Sequence, residues 1–492
     1  MNEPLQIRNP SVTLYPFHLR EDADEGYQQV GKNAKNLWEN LADNVGKEFD
    51  ISELKSLRNN LICYKDGQYE PAEENRTLKK EDLLRPDGQK LKFQPVTQSE
   101  NLKLNGDIYA LRIHDTYTAD LTFYYNKDAI IKVANLKQLN PQGCLLPDKI
   151  KASLGQTLLL YVEPVVYDGY RTLADECVRA FVGDSIEPES DFTATGELFG
   201  SPIFEYYNPT KQRHILVWLK QNPQTLDFVT STFNYYLMNL LCARTKVLFV
   251  YGKAQGSYRR GEQIASELEK KLPEFNQIKA EQNREIKLAK LKDLLERIRS
   301  LVFDYAQELR YLREYSNTIE INAENYAESY AKIKDLSVDG DNLQFLEKFR
   351  SLCDRKYQRQ IQKYLNYLMA NQDLFQQIIS TIRGMVEIEQ VELDAEQGKS
   401  DKKRDRQLEN IIFFVGTAIG GGQIFSAAYP LIKDTPIKWQ PDFSLPLHPF
   451  TSTIIGSLVF GILFGLLILP ILPLGRKILP KIGPLVRKIL SR

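Results

Sequence analysis

LAKLKDLLERIRSLVFDYAQELRYL, residues 288–312, decides how the middle of this chain is read. Leu288, Leu291, Leu295, Ile298, Val302, Tyr305, Leu309 and Leu312 recur at steps of three and four, with mostly charged residues between them. Such a repeat, held for more than three heptads, predicts a helix that packs on another helix along a coiled-coil seam. A second seam runs through Ile361, Leu365, Leu368, Gln372, Phe375, Ile379, Ile382, Val386, Glu389 and Leu393. SVDGDN, 337–342, lies between the two and reads as a turn. The expectation is a long antiparallel coiled-coil stalk over residues 256–400. Its second arm is about 80 Å long at about 1.5 Å per residue.

Upstream the texture changes. Residues 1–255 are richer in Tyr, Phe, Pro and β-branched side chains. SVTLYPFHL, IYALRIH, ADLTFYY, TLLLYVEPVVY, HILVWL and TKVLFVY read as strands. QVGKNAKNLWENLADNVG and TLADECVRAFVG read as amphipathic helices. The mixed order predicts an α+β or α/β domain, and the charged stretch 71–90 allows a division into two lobes.

Within this domain GELFGSPIFEYYNPTKQRHILVWL, 196–219, stands out. Gly200-Ser201-Pro202 predicts a tight turn followed by a strand carrying Glu205. A buried Glu205 beside Arg213 or His214 is a candidate ligand site, against the plainer reading of a hairpin with a salt bridge. His114-Asp115 resembles a polarised pair, but strand neighbours point to opposite faces.

The chemistry-bearing motifs are missing. There is no GxxxxGK[ST], no GxGxxG after a strand, no GxSxG and no DxDxDG loop. The four histidines have no metal-ligand spacing, and the five cysteines form no CxxC. No catalytic residue, no metal, no cofactor and no enzymatic activity are expected, and the thiols are expected to be reduced. Lys+Arg and Asp+Glu both number 64, so the global charge gives no case for nucleic acid. MNEPLQIRNP has neither a basic n-region nor an apolar h-region, so no signal peptide is expected.

Downstream, residues 411–432 and 450–474 carry no charge. Crossing ~30 Å of hydrocarbon takes about 20 helical residues, so both predict membrane spans in a hairpin over 401–474. Basic residues crowd the two outer flanks, and 475–492 reads as a basic amphipathic tail. The positive-inside rule then predicts a multi-pass protein of the inner (plasma) membrane with both termini cytoplasmic. In the first span Gly416 and Gly420 allow close helix approach, as do Gly461 and Gly465 in the second. Thr417, Gln423 and Ser426 are candidate pore-lining or inter-helix polar residues, because an amide deep in a bilayer needs a partner.

This order of parts resembles the CorA-type two-helix membrane channels. The resemblance covers about the last 230 residues and is one of topology. The family's Gly-Met-Asn signature is absent: Met1, Met238, Met369 and Met385 all lie outside the spans, and SAAYP, 426–430, stands at the matching place. The arrangement is similar to divergent CorA-like bacterial defence effectors that lack this signature. The resemblance implies a homo-oligomer, pentameric by analogy, in the lipid bilayer, gated by an unknown ligand or protein through the stalk. A divalent cation transporter and a membrane-tethered coiled-coil adaptor are the alternatives.

Overall fold

A computed structural model describes residues 5–396, apart from 22–28, 72–73, 75–77, 79, 86–89, 100–101, 166–168, 184–185, 224 and 226–232. The chain divides into two compact units, one of residues 1–281 with 290–383, the other of residues 282–289 with 384–492.

The first unit is built on a mixed sheet. Its strands are β1 (Gln6–Leu19), β4 (Lys80–Asp82), β5 (Leu91–Lys92), β6 (Val96–Ser99), β7 (Leu102–Ile113), β8 (Thr116–Tyr125), β9 (Ile130–Lys132), β10 (Gly155–Pro164), β11 (Phe192–Leu198), β12 (Ser201–Asn208) and β13 (Arg213–Leu219); a separate small ribbon pairs β2 (Tyr64–Lys65) with β3 (Gln68–Tyr69). The order across the sheet is β11-β12-β13-β10-β1-β8-β7-β4. Among the described residues β10 and β13 form its parallel pair, and the other pairings are antiparallel. The chain between them contributes helix α1 (Tyr170–Val182) and the β11–β12 hairpin. β13 is buried from end to end and β10 over its first eight residues, as expected for central strands covered on both faces.

Alternation sorts these strands into two packing layers. Leu158, Leu160, Val162, Ile215, Val217 and Leu219 join one large core with Leu173, Cys177, Val178 and Phe181 of α1 and with Leu37, Trp38 and Leu41. The opposite face presents Tyr161, Ile203 and Trp218. There the rings of Trp218 and Phe199 meet Phe233 at centroid distances of 5.6 and 5.0 Å.

Phe233 opens α2 (Phe233–Lys279), and α3 (Arg284–Leu336), α4 (Gln344–Leu352) and α5 (Arg359–Glu396) follow. The run TKVLFVY, expected as a strand, is helical within α2. Its apolar, β-branched composition suits either state over so few residues. The turn expected at 337–342 does separate α3 from α4. The first seam departs at one position: Leu288, Leu291, Ile298, Val302, Tyr305, Leu309 and Leu312 are buried as expected, but Leu294 is buried in place of Leu295, which is only half-buried. α2 joins the pair as a third helix. A Cβ on Gly261 would come within 2.6 Å of Leu368 on α5, so glycine sets that close approach. Tyr305 on α3 donates to the Leu368 carbonyl at 2.7 Å, and Arg260 on α2 pairs with Glu308 at 2.6 Å. Within the second unit, Arg284 pairs with Glu392 at 3.0 Å and Lys287 with Glu389.

Three expectations are corrected. Among the described residues no helix is long and apolar enough to cross a membrane, because each long helix carries charged side chains along its outer face. The fold class, among the described residues, is therefore a mixed sheet domain with long helices and no transmembrane helix. The description as a membrane protein and channel, and the multi-pass inner-membrane localisation, fall with it. The expected spans 411–432 and 450–474, and with them Gly416, Thr417, Gly420, Gln423, Ser426, Gly461 and Gly465, lie outside the described residues.

Candidate functional site

β12 and β13 pair antiparallel with Glu205 opposite Leu216 and Tyr207 opposite His214. Glu205 and His214 are therefore diagonal neighbours on one face, within reach of each other. The imidazole Nε2 donates to Glu205 Oε1 at 3.0 Å. On the parallel side Thr157 of β10 stands level with His214, and its hydroxyl donates to Nδ1 at 2.8 Å. Arg244 of α2 reaches down to Glu205 Oε1 at 3.3 Å, and Thr193 of β11 donates to Oε2 at 2.9 Å. The Arg244 guanidinium also lies over Tyr207 at 4.6 Å and Phe349 at 5.1 Å from the ring centroids, a cation–π arrangement.

The charges follow from this geometry. Burial works to raise the Glu205 carboxyl, but the His214 hydrogen bond and the Arg244 charge outweigh it and hold the group down at about 2. Burial and the neighbouring Arg244 charge push the His214 imidazole down to about 4, against the pull of Glu205. At neutral pH the cluster is a carboxylate–guanidinium pair whose carboxylate also accepts from a neutral imidazole with its proton on Nε2. Thr157, His214 and Glu205 line up as a hydroxyl–imidazole–carboxylate triad does. Thr157 is fully buried in a central strand, however, so its hydroxyl is a tether for the ring and not an exposed nucleophile.

Arg213 takes no part in this cluster. As the strand neighbour of His214 it points to the opposite face, where Nη2 donates to Asp191 at 2.7 Å. Asn208 donates to the same carboxylate at 2.8 Å. The structure thus joins Glu205 to His214 and separates both from Arg213.

The tight turn at the start of this region is Phe199-Gly200, ahead of the expected Ser201-Pro202, which instead open β12, with Leu198 opposite Ser201. Both residues have positive φ, 52° and 66°, a geometry that suits glycine and strains phenylalanine. The two consecutive amides then point the same way and form an anion-binding nest. They donate to the two carboxylate oxygens of Asp341 at 2.8 Å each, and Val338 N donates to the same side chain at 3.0 Å. Next to it, Glu197 and Asn342 exchange two backbone hydrogen bonds of 2.9 Å, so the α3–α4 turn adds a bridge to the sheet edge. A Cβ on Gly196 would lie 2.4 Å from the Phe345 ring, so glycine admits α4 at that edge.

His114-Asp115 is also a turn, joining β7 to β8, and its carboxylate pairs with Lys246 of α2. Asn234 of α2 donates to Asp120 and accepts from Tyr15. Arg244, Lys246, Asp191 and Asp341 were missed by sequence reading. The signal for the first was present: Phe233, Leu237, Leu240, Leu241 and Arg244 fall at helical spacing. The five cysteines are all buried and unpaired, and burial raises their thiols, with Cys242 at about 11 and Cys144 and Cys353 at about 12. Among the described residues no group of three or more His, Cys, Asp and Glu side chains is placed to hold a metal. No family model, no curated protein and no solved structure matches this chain.

Proposed function

We propose that this chain is a relay: the sheet domain takes up a signal, and the β11–β12 hairpin passes it to the long helices as a change in how they are held. The reading keeps the expectation of a sensing domain that drives a helical stalk, and makes no use of a membrane span. One observation carries it. The hairpin is gripped at two points far apart in sequence, at its turn by Asp341 of the α3–α4 turn and on its second strand by Arg244 of α2. α2 also packs against α5 at Gly261, so a shift of the hairpin acts on helices that are already in contact. A buried ion pair with a neutral histidine between strands suits a positional link better than turnover, because the carboxylate already takes three protein donors and the cluster is largely shielded from solvent.

The test is hydrogen exchange on Asp341→Ala. The relay predicts faster exchange at 197–200 and along α4, with α2 also loosened around Arg244, while β1 and β8 keep their protection. Loosening confined to 197–200 and 338–342 would reduce the clamp to a local cap and end this reading.

A further inference from the structure

The signal needs an entry point, and the structure supplies a cavity at the far end of α1 from the hairpin. It measures about 620 Å³ and opens between the last turn of α1 and residues 132–143. This lies within the range of small-molecule pockets, about 300–1,000 Å³. Val133 and Phe181 give it apolar walls, and Lys132, Lys137 and Arg179 line it with three cations against the single carboxylate of Glu176. Arg179 is held by Glu176 and by Glu189, the latter at 2.9 Å, so carboxylates occupy its donors where a ligand anion could replace them. The C-terminal carbonyl end of α1 also faces this region and opposes a high negative charge there. Mixed walls, a modest excess of cations and that dipole together favour one anionic group on an apolar body.

α1 connects this cavity to the relay. Near its first turn the Arg171 guanidinium stacks 3.3 Å from the centroid of Phe192, the first residue of β11. Arg171 also pairs with Asp175, which accepts from the Tyr206 hydroxyl of β12 at 2.7 Å. One helix thus has its end in the cavity and its start on both strands of the hairpin.

We propose that this cavity binds a small organic monoanion with an apolar body, an aryl or acyl carboxylate or sulfonate, by drawing Arg179 away from Glu176. The consequence for the stalk rests on the relay reading; the binding does not. The probe is 8-anilinonaphthalene-1-sulfonate, titrated into the full chain by calorimetry, with neutral N-phenyl-1-naphthylamine and inorganic pyrophosphate as the apolar-only and charge-only controls. Expected is one site per chain for the sulfonate and weaker binding of both controls. Combined Arg179→Ala and Lys137→Glu should lower sulfonate affinity by about tenfold or more, and Glu176→Gln should raise it by about threefold. Far-UV circular dichroism checks that the variants fold. Unchanged affinity in the double variant, or equal binding of the neutral probe, overturns the site. Binding as expected with no change in hydrogen exchange at 192–198 keeps the site and overturns the relay.

Discussion

Two hairpins of the sheet end in two-residue turns, and each is held from the helical part of the chain, one by a helix and one by the turn between two helices, with the polarity reversed. At the β7–β8 turn the hairpin offers a carboxylate, Asp115, to Lys246 of α2. At the β11–β12 turn it offers two backbone amides to the carboxylate of Asp341. The first grip depends on side chains and leaves a trace in composition, an acid on a turn and a lysine inside an apolar helix. The second depends on backbone conformation, because only positive φ at both turn residues aims the two amides at one anion. It leaves almost no trace: Phe-Gly is not the Asn-Gly or Asp-Gly pair that marks such a turn. The conformational demand falls on a phenylalanine whose ring is buried against Trp218 and Phe233.

The comparison breaks first at Arg244. Arg244→Ala strands the Glu205 carboxylate in a closed site and should cost about 3–5 kcal/mol in chemical denaturation. Exchange should rise at β11–β13 and not at the β7–β8 turn. Equal loosening of both hairpins would mean that α2 holds the sheet as one block.

Acid tests the same side. His214 titrates at about 4 in the folded chain and near 6.5 when unfolded. Between those values the unfolded state binds the extra proton, so stability is full above about pH 6.5 and declines as pH falls towards 4, by on the order of 3 kcal/mol. Glu205, held at about 2 against an ordinary 4.5, adds a second loss as pH falls from 4.5 to 2. His214→Gln should flatten the first decline and leave the second. A wild-type stability curve level from pH 7 to 4.5 would refute the placement of a neutral imidazole there.

The turns themselves give smaller effects. Asp115→Ala and Asp341→Ala should each cost about 1–3 kcal/mol, since both leave donors without their anion. Gly200→Ala places a Cβ at φ 66° and 3.0 Å from Asn222, and should cost about 1 kcal/mol by thermal denaturation. No loss at Gly200 would show that the turn relaxes without releasing Asp341.

Much of this fold was legible in the residues. The second seam showed itself because Ile361, Leu365, Leu368, Phe375 and Ile382 repeat with the helix period and are the residues the helices bury. The strands of β1, β7, β8, β10 and β13 were read from β-branched and aromatic runs that the sheet does contain. TKVLFVY misled because the start of α2 packs on the sheet and so lacks the polar face that marks an exposed helix. The candidate site was half legible: Glu205 and His214 were singled out, but Arg213 stood equally in view, and its partner Asp191 did not.

The sequence by itself determined what depends on neighbours along the chain: helix periodicity, strand alternation, the turn at 337–342 and the absence of a metal-ligand spacing. Tertiary structure alone decided which face of β13 meets Glu205, which helix supplies the counter-charge, and that a turn 141 residues away closes on Gly200. The reason is one of range. Side-chain direction follows from local backbone geometry. Strand register and helix docking are set by pairings across the chain, and those answer to the packing of the whole core.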